Sequence, residues 1–157
     1  MTPQSPDTPP TPAPRLIGMA IGAACVIAGG LVAAVSSPLH LEKGSWAAAY
    51  LVLVAGVAQI VLSQQQRLLR PAARRPRGEW AILVLWTAGN AAVITGSLLR
   101  SPLIVDAGGL ALMAALALAL VRTRGSRAPL LGWALRVLYV IVLVSIPIGL
   151  FLAHVRA

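Results

Sequence analysis

The chain has 157 residues, of which 58% are hydrophobic and only 11% are charged, and its formal net charge is +9. A soluble domain carries about a quarter charged residues, so this composition excludes an ordinary water-facing domain. No nucleic acid is expected as a partner, because aromatic residues are few and the basic residues lie between apolar runs, where membrane proteins carry orientation signals. The single cysteine, Cys25, cannot form a disulfide within the chain.

The N-terminal segment, residues 1–14, contains six prolines and is predicted to be a disordered tail. It has too little apolar surface to offset the entropy of ordering. The remaining residues, 15–157, are predicted to form one transmembrane domain, whose first span covers about residues 16–36. A cleaved signal peptide is the alternative, and residues 34–37 would tolerate cleavage. An uncleaved span is expected, because the apolar stretch is longer than a signal core of about 7–15 residues.

Further apolar runs follow, each near the length of about 20 residues that crosses a bilayer as a helix. They cover about residues 45–62, 80–99, 102–121 and 130–153. Ser101 as N-cap and Pro102 as the first helical residue predict a tight turn, so the third and fourth spans should form an antiparallel hairpin. The predicted fold class is therefore all-α, a bundle of about five transmembrane helices.

The basic residues are distributed unequally between the two sides of such a bundle. Nine belong to the side that holds the N-terminal tail and the second and fourth loops, and three belong to the other side. Basic residues accumulate on the cytoplasmic side of membrane proteins, so the N-terminus is predicted inside and the C-terminus outside. The residues that would set this orientation are Arg67, Arg70, Arg74, Arg75, Arg77, Arg122, Arg124 and Arg127, together with Arg15.

The chain uses arginine far more than lysine and is rich in Ala, Pro and Gly, which is typical of a GC-rich bacterial genome. We therefore predict the bacterial cytoplasmic (inner) membrane as its location. The lipid bilayer, including its anionic lipids, is the expected partner of the basic loops, since each Arg near anionic headgroups contributes on the order of 1 kcal/mol. Gly18 and Gly22 form a G-x-x-x-G pair, a pattern that lets helices approach closely.

Polar residues inside the predicted spans are the first candidates for function. Gln59 and Asn90 lie at similar depths in the second and third spans, so they could hydrogen-bond across neighbouring helices. A structural role is expected for both, with permeation or ligand binding as the alternative. Asp106 lies in the first turns of the fourth span, where the helix dipole favours an anion and Arg100 is near. A structural ion pair or an interfacial position is expected for Asp106, and a proton or cation role is the alternative.

The two histidines, His40 and His154, both fall at the predicted outer face. Neutral imidazole is the commonest metal ligand, so the pair could converge on a haem iron or another metal. Because no Cys or carboxylate lies at ligand spacing, an interfacial role without a ligand is expected instead, and no cofactor is predicted. The sequence contains no P-loop, G-x-S-x-G, H-E-x-x-H or C-x-x-C motif, so no catalytic residue and no enzymatic activity are predicted.

The segment HLEKGSW at residues 40–46, followed by GVAQ at residues 56–59, resembles small multi-spanning bacterial membrane proteins related to haem-copper oxidase subunit I. The pair Gly89-Asn90 and the span at residues 103–120 have the character of helices in that group. The resemblance covers roughly residues 38–120. It implies a haem-binding histidine at the outer start of a helix, and only His40 would carry over as that ligand. The family's further histidines are missing, apart from the unmatched His154.

The function expected first is non-enzymatic. The chain is interpreted as a structural or accessory component of a membrane assembly that associates through its helices with itself or with another membrane protein. A haem- or metal-binding membrane protein that uses His40 is one alternative. A small oligomeric transporter or channel that uses Gln59, Asn90 and Asp106 is the other.

Overall fold

The computed structural model describes residues 13–41, 43–69, 76–123 and 129–155. Within these ranges the chain forms five helices and no strand, so the predicted all-α class is confirmed. The predicted N-terminal tail lies outside the described residues, except for Ala13 and Pro14, which belong to the first helix.

Four helices have simple boundaries: α1 comprises Ala13–Ser36, α3 comprises Pro76–Leu99, α4 comprises Pro102–Arg122 and α5 comprises Pro129–Val155. Helix α2 is continuous but has three parts. Gly44–Tyr50 and Gln59–Leu69 are α-helical, and the middle part, Leu51–Ala58, is π-helical. The sequence predicted an end for α2 near residue 62, but the helix continues for two further turns. Gln65, which follows the predicted end, is buried in this extension of the helix.

Four of the described helical segments are long and apolar enough to cross a membrane: Ala13–Ser36, Gly44–Gln65, Arg77–Leu99 and Pro102–Arg122. Helix α5 adds a shorter apolar stretch within the described residues, Gly132–Pro147. By length and composition the chain is therefore a multi-pass membrane protein. The side of the membrane on which each terminus lies stays a prediction.

Helices α1 and α2 form an antiparallel pair in which glycines bring the two backbones together. A Cβ at Gly22 would lie 2.7 Å from Ile60 Cγ1 and 2.9 Å from Gly56 O, and a Cβ at Gly29 would lie 2.9 Å from Ala48 O. Contacts this close leave no room for a side chain, which is the usual reason for small residues between membrane helices. The G-x-x-x-G pair predicted from the sequence therefore faces α2 of the same chain.

Helices α3 and α4 form a second antiparallel pair around a tight connection. A Cβ at Gly108 would lie 2.8 Å from Gly89 O, so these backbones also touch. Arg100 has a left-handed backbone with φ of 54°, and Ser101 N donates to Gly96 O at 2.9 Å. Ser101 occupies the N-cap of α4 and Pro102 the first helical position, as predicted, although no side-chain hydrogen bond completes the cap.

The hydrophobic core lies between α2, α3, α4 and α5. Its buried members include Leu62, Trp86, Leu116, Leu135 and Tyr139. Helix α1 contributes no residue to this cluster and packs on the outer side of α2. The core places the ends of α2 and α4 beside the beginning of α5. This end of the bundle also carries Arg77 and Arg122, and we call it the basic end.

Candidate functional site

Buried polar side chains link three helices near the basic end of the bundle. Gln65 Nε2 donates to Ala119 O at 2.8 Å, and the Tyr139 hydroxyl donates a long hydrogen bond of 3.4 Å to Gln65 Oε1. Gln65 and Tyr139 are each only 3% exposed. Since Gln65 lies on α2, Ala119 on α4 and Tyr139 on α5, this one glutamine joins the three helices.

A second polar contact fastens α5 to the end of α4. Arg136 Nε donates to Thr123 Oγ1 at 2.8 Å, and Arg136 Nη2 donates to Thr123 O at 2.9 Å. The Thr123 hydroxyl in turn donates to Leu120 O at 2.7 Å. The last carbonyls of a helix have no partner within it and carry partial negative charge, so a guanidinium stabilises them. We call Gln65, Thr123, Arg136 and Tyr139 the polar clamp.

The polar clamp was not predicted from the sequence. The predicted second span ended near residue 62, before Gln65, and neither Thr123 nor Tyr139 was among the candidate residues. The sequence nevertheless contains a signal for Gln65. The buried positions Ala55, Gln59, Leu62 and Gln65 recur every three or four residues, as expected for one face of a helix. Continuing that spacing past Leu62 would have predicted a longer α2 with a buried glutamine near its end.

Gln59 and Asn90, both predicted as polar residues inside the membrane, are buried, but they are not joined. A Cβ at Gly18 would lie 3.2 Å from Gln59 Nε2, so the Gln59 amide faces α1. Asn90 Nδ2 donates to Trp86 O within its own helix at 2.8 Å. Among the described residues no hydrogen bond connects the two amides. The π-helical part of α2, which holds more residues per turn than an α-helix, ends directly before Gln59.

One turn of α3 carries three polar groups without a hydrogen-bond partner among the described residues. They are the indole N–H of Trp86, the hydroxyl of Thr87 and the side-chain oxygen of Asn90. Trp86 is 2% exposed and Asn90 is 4% exposed. This turn thus presents both a donor and an acceptor in the interior of the bundle.

The predicted outer end of the bundle holds Asp106, Lys43 and Arg100. Asp106 is half-buried in the second turn of α4 and takes part in an interaction there. Lys43 Nζ donates to Ser97 O at 2.6 Å, which ties the connection between α1 and α2 to the last turn of α3. A cation at a helix C-terminus is electrostatically favourable, so Lys43 stabilises that end of α3.

The two histidines are placed at the ends of helices. His40 is exposed and has a left-handed backbone with φ of 48°, in the turn that follows α1. His154 belongs to the last turn of α5, and its side chain lies outside the described part of the structure. Within that part no group of three or more His, Cys, Asp or Glu residues is arranged to hold a metal ion.

The residues that would set the orientation lie at one end of the bundle, as far as they are described. Arg77 is exposed at the start of α3, and a Cβ at Gly78 would lie 2.7 Å from Arg122 Cζ. This contact places the end of α4 beside the start of α3. Arg67 lies in the last turn of α2, and its side chain is outside the described part of the structure. The residues wholly outside the described ranges are Arg70, Arg74, Arg75, Arg124 and Arg127.

A groove of about 670 Å³ opens between the C-terminal half of α1 and the N-terminal half of α2. Its lining is dominated by small residues, among them Gly29, Gly30, Ala33, Ala48 and Ala49. Gly30 is exposed, and a Cβ at this position would meet no atom within 4 Å. The groove therefore offers a surface on which another helix could approach α1 closely.

Comparison with protein-family models, with curated proteins and with solved structures found no match to this chain. The resemblance to haem-copper oxidase subunit I through His40 therefore stays a hypothesis. By the length and composition of its helices the chain belongs to the class of multi-pass helical membrane proteins, and glycines mediate the contacts within its helix pairs.

Proposed function

We propose that the protein is a non-enzymatic structural or accessory component of a membrane assembly in the bacterial cytoplasmic membrane. It associates through its helices with another copy of itself or with another membrane protein. The observation that carries this proposal is the small-residue groove between α1 and α2. Small residues on an exposed helix face are what membrane helices use to pack closely together.

The open space around Gly30 is the main support for this proposal. Gly22 and Gly29 are needed within the chain, because a side chain at either position would collide with α2. Gly30 has open space around it, so the packing of this chain does not require a glycine there. A glycine inside a helix costs roughly 0.5–1 kcal/mol relative to alanine, and a helix approaching from outside provides a reason to keep it.

The filled interior of the bundle also supports a structural role over transport. Ala115 and Ala119 are fully buried, and Trp86 and Leu116 are each 2% exposed. These residues pack between α3, α4 and α5, and the described polar atoms in that interior are confined to the turn of α3 at Trp86 and Asn90 and to the polar clamp. A bundle packed in this way stabilises its own helices and presents its outer faces to partners.

The test is purification of the full chain in a mild detergent, followed by mass determination and identification of co-purifying proteins. We expect an assembly larger than one chain. Gly30→Leu should dissociate it by filling the groove. Ala34→Leu is the matched control, because Ala34 is exposed on α1 and does not line the groove. A wild-type monomer without any partner would contradict the proposal.

Two alternatives have direct tests of their own. A Soret band or a bound metal in the purified protein, lost in His40→Ala, would favour the haem or metal hypothesis. Solute flux in liposomes that depends on Asp106, measured with Asp106→Asn, would favour the transport hypothesis.

A further inference from the structure

The turn of α3 from Trp86 to Asn90 holds a buried donor and a buried acceptor that no described residue satisfies. The two side chains lie four residues apart on one helix and are therefore neighbours on one face. The large majority of buried side-chain polar atoms in proteins have a hydrogen-bond partner, and an exception calls for a specific explanation. In the hydrocarbon region this requirement is stricter, because bulk water is not present to supply one.

Rearranging the side chains themselves does not resolve the mismatch. Asn90 Nδ2 donates to Trp86 O, and that carbonyl can only accept, so the orientation of the amide is fixed with its oxygen pointing elsewhere. The indole of Trp86 carries a single N–H and has no alternative form. The hydrophobic cluster around Trp86 consists of apolar side chains apart from Tyr139, whose hydroxyl is already engaged with Gln65.

We propose that this turn binds one internal water molecule, which accepts a hydrogen bond from Trp86 Nε1 and donates one to Asn90 Oδ1. The bound molecule must be neutral, because both groups are neutral and an unpaired charge in the interior would be strongly unfavourable. It must also be able to donate one hydrogen bond and accept another. Water does both, and buried waters typically make about three hydrogen bonds. The Thr87 hydroxyl, three residues before Asn90 and also unpartnered, supplies the third. The site does not depend on the proposed function.

The direct test uses the wild-type chain in detergent micelles with ¹⁵N-labelled tryptophan. The chain has four tryptophans, and three of them, Trp46, Trp80 and Trp133, are exposed. We expect the indole proton of Trp86 to exchange slowly with solvent, since it is buried, and yet to show a cross-peak to a bound water. Slow exchange without that cross-peak would overturn the proposal.

Asn90→Leu tests the second hydrogen bond with an apolar side chain that has the same number and branching of heavy atoms. We expect the cross-peak at Trp86 to disappear and the midpoint of thermal unfolding to fall by several degrees. Trp80→Phe is the control for the spectrum, because it removes an exposed indole of the same helix and should leave the Trp86 signal unchanged. A higher unfolding midpoint in Asn90→Leu would mean that the oxygen was truly unpaired, and it would overturn the proposal. An organic molecule retained by the wild-type chain in native mass spectrometry and lost in Asn90→Leu would also overturn the assignment to water.

Discussion

At the scale of single residues, two positions have a backbone that L-residues rarely adopt. His40 and Arg100 both have positive φ, and the residue after each donates to a carbonyl five positions earlier, Leu41 N to Ser36 O and Ser101 N to Gly96 O. A hydrogen bond of this span is typical of a helix C-terminus at which one residue adopts the left-handed conformation. Histidine is enriched among the non-glycine residues that tolerate this backbone. His40 therefore has a structural role at the end of α1, independent of any ligand.

Replacing Arg100 by glycine should stabilise the protein by about 0.5–1 kcal/mol, because glycine adopts positive φ without steric cost. Arg100→Ala is the control, since it removes the same charge and stem but keeps the Cβ. The measurement is the free energy of unfolding in mixed detergent micelles. Equal stability of the glycine and alanine variants would show that the left-handed backbone is not strained.

At the scale of elements, the glycines of α1 divide into those that contact α2 and those that do not. Gly22→Ala should destabilise the protein by about 1–3 kcal/mol, because the new methyl group would lie 2.7 Å from Ile60 Cγ1 and 2.9 Å from Gly56 O. Gly30→Ala adds the same methyl group in open space. In the single chain, with no partner helix at the groove, it should instead gain roughly 0.5–1 kcal/mol from helix propensity. Unfolding of both variants is measured in micelles that hold one chain each, and a Gly22→Ala variant as stable as the wild type would refute the close contact at Gly22.

The polar clamp makes a separate prediction for α5. Arg136→Met keeps most of the apolar stem but removes the two hydrogen bonds to Thr123. Because Arg136 is exposed and solvent replaces part of the interaction, a loss of about 1–2 kcal/mol is expected. Disulfide cross-linking between cysteines introduced at the start of α5 and the end of α4 should slow in this variant. Arg77→Met, which removes an exposed arginine outside the clamp, should leave the cross-linking rate unchanged.

Across the elements, the long apolar runs and the Ser101-Pro102 turn were enough to predict five helices and the α3–α4 hairpin, because span length and turn chemistry are local properties. The direction of Gln59 was not predictable, since it depends on the π-helical part of α2, and nothing in the residues 51–58 marks the change of period. The burial of Gln65 was accessible from its spacing. The hydrogen bonds of Arg136 to Thr123 are contacts between distant parts of the chain, so they require the packed bundle.

At the scale of the whole molecule, the described residues Arg77 and Arg122 lie at one end, and the arginines of the adjoining loops should decide the orientation. Antiparallel packing puts the end of α2, the start of α3 and the end of α4 together, and Arg122 lies against Gly78 there. We predict that replacing Arg67, Arg70, Arg74, Arg75 and Arg77 by Gln, with five arginines placed in the connection between α1 and α2, inverts or scrambles the topology. A reporter at the C-terminus should read as external in the wild type and lose that signal in the variant. Arg100→Gln is the control, because it removes a single arginine, and it should leave the reporter signal unchanged. A reporter that stays external in the variant with relocated arginines would show that another feature of the chain sets the orientation.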